Sequence, residues 1–246
     1  MPTDERIIEI TDVTYAYPGG RSVLDRAGLV ALRGERIGII GPNGSGKTTL
    51  FHLIMGLARP VSGSISIFGR TVQDEEDFIE VRRKIGFLFQ NSDDQLFCPT
   101  VMEDVAFGPL NLGRPPAEAL TIARRTLATL GIADFENRVS HKLSHGEKKL
   151  VALAAVLAMD PQVLILDEPT AGLDRETKAR LMEILQGLDL TFLITSHEMD
   201  FLSKMADVFY TLADGRIEEV HDITPHTHTH VHVGGKYSHR HEDEYP

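Results

Sequence analysis

Short apolar runs punctuate the chain at residues 7–17, 36–40, 64–68, 85–89, 163–166, 191–195 and 208–212, several of them rich in β-branched side chains. Runs of this length, with helical patterns between many of them, predict the strands of an α/β core in which strands run parallel. The first run breaks at Pro18-Gly19-Gly20, which predicts a turn. Between about residues 91 and 160 the strand pattern disappears and a helical period replaces it. Pro115-Pro116 opens a helix that places Leu120, Ala123, Leu127 and Leu130 on one face and ends at Gly131. Ser144 and Glu147 have the spacing of a capping box at the start of a long helix reaching Met159. From His221 onward the composition changes abruptly. The expected organisation is therefore a body over residues 1–220, with a helical part over about 91–160, and a tail over 221–246.

Composition narrows the choice of partners. The chain has 246 residues, 42% of them hydrophobic, enough to bury a sizeable core, and a formal net charge of −11 with histidine neutral. No general basic field attracts nucleic acid, so a nucleic-acid partner is not expected. The longest clear apolar stretch, residues 150–159, is far short of the roughly 18 residues that a membrane span needs. The first residues, Met-Pro-Thr-Asp-Glu-Arg, do not read as a signal. A soluble cytosolic chain is expected. The single cysteine, Cys98, lies between Phe97 and Pro99, has no intrachain disulfide partner, and reads as a half-buried filler rather than a nucleophile.

The sharpest chemical signal follows the run at 36–40. Gly41-Pro42-Asn43-Gly44-Ser45-Gly46-Lys47-Thr48, with Thr49 next, is a full match to a phosphate-binding loop. Its glycines let consecutive backbone N–H groups close around phosphate oxygens. Lys47 reaches the β- and γ-phosphates, and the Thr48 hydroxyl is placed for Mg²⁺ at the start of a helix. A lysine at a helix N-terminus faces the positive end of the dipole unless an anion is bound, which makes packing alone a poor reason for this pattern. The chain is expected to bind a nucleoside triphosphate.

A second element completes the chemistry. The buried run at 163–166 ends in Asp167-Glu168, fitting the Walker B role: one carboxylate for Mg²⁺, the other for a water at the γ-phosphate. Side chains alternate along a strand, so the two leave it in different directions. About twenty residues earlier, Leu143-Ser144-His145-Gly146-Glu147 is similar to the signature motif of the ATP-binding cassette family. Further positions match that family in order and spacing. Gln90 resembles its Q-loop glutamine, Ala171-Gly172-Leu173-Asp174 its D-loop, His197 its switch histidine, and Tyr17 the aromatic that stacks on adenine. The resemblance covers about residues 6–220. It departs from the usual signature at His145, where a second glycine is common, and at Glu147, where glutamine is common.

What the resemblance implies can be stated residue by residue. The fold would be a P-loop nucleotide-hydrolase core with a mostly parallel sheet, an N-terminal antiparallel β subdomain and a helical signature subdomain. The cofactors would be ATP and Mg²⁺, with Thr48, Gln90 and Asp167 on the metal. Glu168 would handle the attacking water, helped by Gln90 and His197. Ser144, Gly146 and Asp174 would contribute to nucleotide binding, the signature helix of one subunit facing the γ-phosphate held by the other. The working unit would be an ATP-dependent homodimer, or a heterodimer with a second cassette, at the cytoplasmic face of the membrane.

The segment 91–97 followed by 100–109 closely resembles the ATPases of energy-coupling-factor importers, which drive a membrane scaffold joined to a substrate-capturing subunit. Within that group the tail points to a metal. Seven of the 11 histidines lie at 221, 226, 228, 230, 232, 239 and 241. His226, His228, His230 and His232 alternate with other residues as ligands for Ni²⁺, Co²⁺ or Zn²⁺ would. The expected activity is ATP hydrolysis driving uptake of cobalt or nickel. The alternatives are a vitamin importer of the same type and a zinc importer.

Overall fold

The structure, a computed structural model, describes residues 3–220. Among these described residues, ten strands build two sheets. In chain order the strands are β1 (Thr3–Ala16), β2 (Ser22–Arg33), β3 (Arg36–Ile40), β4 (Ser62–Ile67), β5 (Arg70–Thr71), β6 (Ile85–Leu88), β7 (Val163–Asp167), β8 (Thr191–Thr195), β9 (Val208–Ala213) and β10 (Arg216–Val220). One sheet has the order β2-β1-β4-β5 and is antiparallel throughout. The other has the order β10-β9-β3-β8-β7-β6, parallel except for its edge strand β10.

The helices are α1 (Lys47–Ile54), α2 (Glu75–Lys84), α3 (Val101–Asn111), α4 (Pro116–Thr129), α5 (His145–Leu157), α6 (Arg175–Gln186) and α7 (Met199–Met205). Among the described residues, 91–160 holds three α-helices, short 3₁₀ turns and no ladder strand, as the change of period predicts.

The parallel sheet is covered on both faces, and its strands alternate between two cores. Val163 and Ile165 of β7 pack with α1 and the antiparallel sheet, in a cluster that includes Phe51, Ile8 and Ile65. Leu164 and Leu166 pack on the opposite side with Val105, Leu127 and Val151 from the helical part. Burial on both faces explains why β7 and β8 read as continuous apolar runs rather than alternating ones.

Two details differ from the sequence reading. On α4 the buried stripe is Ala119, Ala123, Leu127 and then Leu130, whereas Leu120 remains 36% exposed. The stripe steps by four, four and three residues, which leaves Leu120 about 100° from Ala119 around the helix. The strands β2, β5 and β10 are additional to the predicted runs. β2 carries Asp25, Arg26 and Gly28 in mid-run, with Arg26 at φ 50°, and β10 is a short polar edge strand. The histidines of the tail lie outside the described residues.

Candidate active site

The loop after β3 and the ends of β6, β7 and β8 converge on one cleft. It has a volume of about 300 Å³ and is lined by Tyr17, Asn43, Gly44, Lys47, Thr48, Thr49, Gln90, Asp167, Glu168 and His197, among others. Residues from five separate stretches of sequence thus meet in one place, four of them at the carboxyl ends of parallel strands, where open α/β sheets bind their ligands.

The loop geometry depends on glycine. Gly44 and Gly46 have φ of 77° and 107°. A Cβ at Gly41 would lie 2.2 Å from the Leu212 carbonyl oxygen, so a side chain there cannot fit without moving the backbone. Pro42 and Ser45 line an adjoining hollow with Tyr17 and Gly44. Lys47 begins α1 and is nearly buried, its ammonium donating to the carbonyls of Gly41 (2.8 Å) and Pro42 (3.1 Å). Burial lowers its pKa, opposed by the carboxylates of Glu168 and Asp167. Tyr17 stands 48% exposed at the rim, with its hydroxyl 3.0 Å from Thr49 Oγ1 and its ring edge-on to Tyr15.

Asp167 and Glu168 diverge as strand alternation requires. Asp167 accepts from the Thr48 hydroxyl and from the Thr195 hydroxyl, each at 2.7 Å. A serine or threonine hydroxyl beside a carboxylate is the hard oxygen set that Mg²⁺ takes. Glu168 sits at φ 46°, a left-handed conformation uncommon outside glycine. That backbone is held by bonds from its N–H to the Thr195 carbonyl and hydroxyl, both at 3.1 Å. Its side chain turns to His197, accepting from the His197 backbone N–H at 3.1 Å on Oε2. His197 Nε2 lies 3.0 Å from Oε1, but Oε1 has no hydrogen bond of acceptable geometry and is buried, as is the unpartnered Ser45 hydroxyl. Buried polar atoms without partners are costly and are expected where a ligand or water completes them. The loop, the oxygen pair and these two atoms fit a nucleoside triphosphate with Mg²⁺.

Ser144, Gly146 and Asp174 do not line this cleft. They form a second cluster on the same chain. Ser144 caps α5 through the expected box, accepting from Glu147 N–H while the Glu147 carboxylate accepts from Ser144 N–H at 2.8 Å. Asp174 caps α6, accepting from the N–H groups of Glu176 and Thr177 and from the Thr177 hydroxyl. The departure at His145 has a role within the chain: its Nε2 donates to the Ala171 carbonyl at 3.1 Å, tying the start of α5 to the turn before Asp174. The departure at Glu147 is neutralised by Arg138, 2.7 Å away.

The Arg138 guanidinium, and then the Ser144 N–H, hold the Glu147 carboxyl at about 2 instead of the ordinary 4.5. A depressed carboxylate pKa contributes stability that is present above about 4.5 and lost as pH falls toward about 2. After allowance for its partial exposure, the contribution is on the order of 2 kcal/mol. Glu147→Gln is expected to be less stable than the parent at pH 7 by that amount and to approach it at pH 2–3. Urea unfolding midpoints at the two pH values measure this, and an equal gap at both would contradict it.

Two residues at the site are not singled out by the sequence. Thr195 ends an apolar strand and joins both carboxylate neighbours. Lys149, on α5, is 0% exposed and donates to the carbonyls of Phe89 (3.0 Å) and Gln90 (2.7 Å). Burial pulls its ammonium down to about 8, opposed by Asp167. Nothing in local sequence distinguishes it from a solvated lysine like Lys142. Burial, and then Asp104, push the Cys98 thiol up to about 11, away from the thiolate form.

Comparison with known proteins agrees with this geometry. The ABC transporter family model matches residues 24–171. The energy-coupling factor transporter ATP-binding protein EcfA of Methanocaldococcus jannaschii is 44% identical over 86% of this chain and 77% of its own length. A protein of Nitratidesulfovibrio vulgaris with the provisional description ABC transporter ATP-binding protein is 50% identical over 240 residues, 97% of this chain and 88% of its own. Among solved structures, cbiO1 from Clostridium perfringens, part of the ABC transporter complex cbiONQ, superposes with a TM-score of 0.79 at 35% identity, covering 87% of this chain and 88% of that one. The dimeric post-hydrolysis state of an ATP-binding cassette bound to ADP and Pi also gives 0.79, at 27% identity over 88% of this chain and 100% of that one.

Proposed function

Because the chain belongs to the ABC transporter family and is an ATPase subunit of the energy-coupling-factor type, we propose that it powers a membrane importer whose cargo is cobalt or nickel. The observation that carries the catalytic part is the cleft, where a phosphate loop, the Thr48–Asp167 oxygen pair and the Glu168–His197 pair face one space. Loop N–H groups and Lys47 would hold the β- and γ-phosphates. Thr48, Asp167 and Gln90 would hold Mg²⁺, whose charge would offset that of the phosphate oxygens. Glu168 orients a water and takes its proton as the water oxygen bonds to the γ-phosphorus and the bond to ADP breaks. His197 stands beside it to contact the γ-phosphate.

We assign Ser144 and Gly146 to the partner's nucleotide, so that hydrolysis belongs to a pair of cassettes. No helix among the described residues is long and apolar enough to cross a membrane. The kinship with energy-coupling-factor ATPases supports passing the drive to membrane-embedded scaffold and capture subunits. Phe97 and Phe107, stacked edge-to-face at 4.7 Å and both exposed just after the loop bearing Gln90, suit such a contact. The place of work is the cytoplasmic face of the membrane.

The metal cargo is supported by the tail. The match to the Nitratidesulfovibrio protein takes in 97% of the chain and therefore extends past Val220 into the histidine-bearing segment. Such a segment is expected to bind a divalent transition metal without being needed for ATP hydrolysis. Imidazole must be neutral to coordinate, so affinity should fall as pH drops through about 6.5. Calorimetry with Ni²⁺ or Co²⁺ on the full chain, against one ending at Val220, is expected to show binding only for the former and equal ATPase rates for both. Equal metal binding would remove the tail from the account. Cargo itself is tested by reconstituting the chain with the membrane proteins that co-purify with it: ATP-dependent uptake of Co²⁺ or Ni²⁺ is expected, and uptake of a vitamin instead would overturn the metal assignment.

A further inference from the structure

Resting on the cassette reading above, we propose that Lys149 is a positioning residue that fastens the backbone of Gln90 to the signature helix, so that the two half-sites carried by one chain move together. Gln90 belongs to the cleft of its own chain, whereas Ser144 and Gly146 at the head of α5 are assigned to the partner's nucleotide. Lys149 is the link between them.

The physical case begins with its burial. An ammonium withdrawn from water is costly and is retained only where its N–H groups find good acceptors. Lys149 is fully buried on α5, and Leu150, Val151, Ala152 and Leu153, which follow it along the helix, are buried as well, so its position is one that an apolar side chain would ordinarily take. What a hydrocarbon would not do is donate to the carbonyls of Phe89 and Gln90, which lie just past Leu88, the last paired residue of β6. These are charge-assisted bonds, stronger and more directional than neutral ones.

The parts on either side are stiff. The loop after β6 is clasped by Gln95, which donates to the Phe87 carbonyl at 3.0 Å and accepts from Phe89 N–H at 3.2 Å. Lys148 adds an ion pair to Asp93 in the same loop at 2.5 Å. On the other side, Lys149 is five residues from Ser144, about 7.5 Å along a continuous helix whose start is fixed by its capping box. A shift of Gln90 toward or away from its own nucleotide must therefore carry the head of α5 with it.

A double-mutant cycle on the full chain tests this through steady-state ATPase kinetics: Lys149→Met, Gln90→Ala and the pair. Lys149→Met is expected to lower kcat by roughly tenfold, with KM for ATP changed by less than about threefold, because it misplaces a group at the reacting centre without removing phosphate contacts. In the Gln90→Ala background it should cost nothing further, since residues acting through one another are not additive. Lys149→Gln, whose amide still donates to carbonyls, should recover most of the rate. An unchanged kcat for Lys149→Met, losses that multiply in the pair, or a folded Lys149→Gln no better than a folded Lys149→Met would each overturn the proposal. If Lys149→Met fails to fold by circular dichroism, the cycle is run with Lys149→Gln, whose smaller loss must likewise vanish beside Gln90→Ala. A parent chain that hydrolyses no ATP, alone or mixed with any cassette that co-purifies with it, would overturn the cassette reading itself, whereas an active parent with multiplying losses overturns only the role of the lysine.

Discussion

Glu168→Gln is expected to lower ATP turnover by roughly 10²–10⁴-fold while leaving nucleotide binding in place, the scale for loss of one catalytic acid or base. The substitution keeps the shape of the side chain and its capacity to accept from the His197 N–H, and it removes only the carboxylate basicity of an oxygen that now has no hydrogen-bond donor. The strained backbone at φ 46° is supported by Thr195 through main-chain contacts that the change does not touch. Lys47→Ala provides the contrast, since it removes a phosphate contact and should weaken binding as well. Turnover of Glu168→Gln at the parental rate would remove that residue from the chemistry.

The second large effect concerns sites completed in trans. In mixed dimers, Gly146→Asp in one subunit is expected to block hydrolysis at the nucleotide held by the other. A carboxylate at the N-terminus of α5 puts negative charge where backbone N–H groups should meet a phosphate. Its Cβ would also come within 3.0 Å of Thr177, crowding the residue that Asp174 holds. Local damage is separated from the trans effect by nucleotide affinity. A Gly146→Asp chain has an intact phosphate loop and should still bind ATP in its own cleft. Mixing it with chains bearing Lys47→Ala should restore one working site per heterodimer, because Lys47 from the first and Gly146 from the second can serve the same nucleotide. No recovered activity in such mixtures would count against assigning Gly146 to the partner's site.

Much of this architecture is legible in the sequence because its determinants are local. The runs at 163–166 and 191–195 announce their strands through unbroken apolar sequence that the structure buries throughout, 36–40 is buried at its three central residues, and Ser144 and Glu147 announce α5 through the three-residue spacing of a capping box. The phosphate loop is legible for the same reason, its glycines answering to left-handed backbone at Gly44 and Gly46. What escapes depends on distant partners. β2 is interrupted by Asp25-Arg26, and it is a strand because β1 pairs with it across a series of register shifts. Lys149 carries no mark in the local sequence, because its role depends on β6 lying beside α5 and bringing two carbonyls within reach. The helical period predicts Leu120 on the inner face of α4, one position from Ala119, because the alanines Ala119 and Ala123 form the buried face that larger side chains usually mark.

The cleft of this chain holds the loop, the Thr48 and Asp167 oxygens and Glu168 but none of Ser144, Gly146 or Asp174, so the proposed mechanism requires ATP to join two cassettes. Light scattering of the full-length Glu168→Gln chain with and without Mg-ATP measures this directly. A mass near 27.3 kDa without nucleotide and near twice that with it is expected. A monomer under both conditions, for the chain alone and for the chain mixed with any cassette that co-purifies with it, would contradict the account.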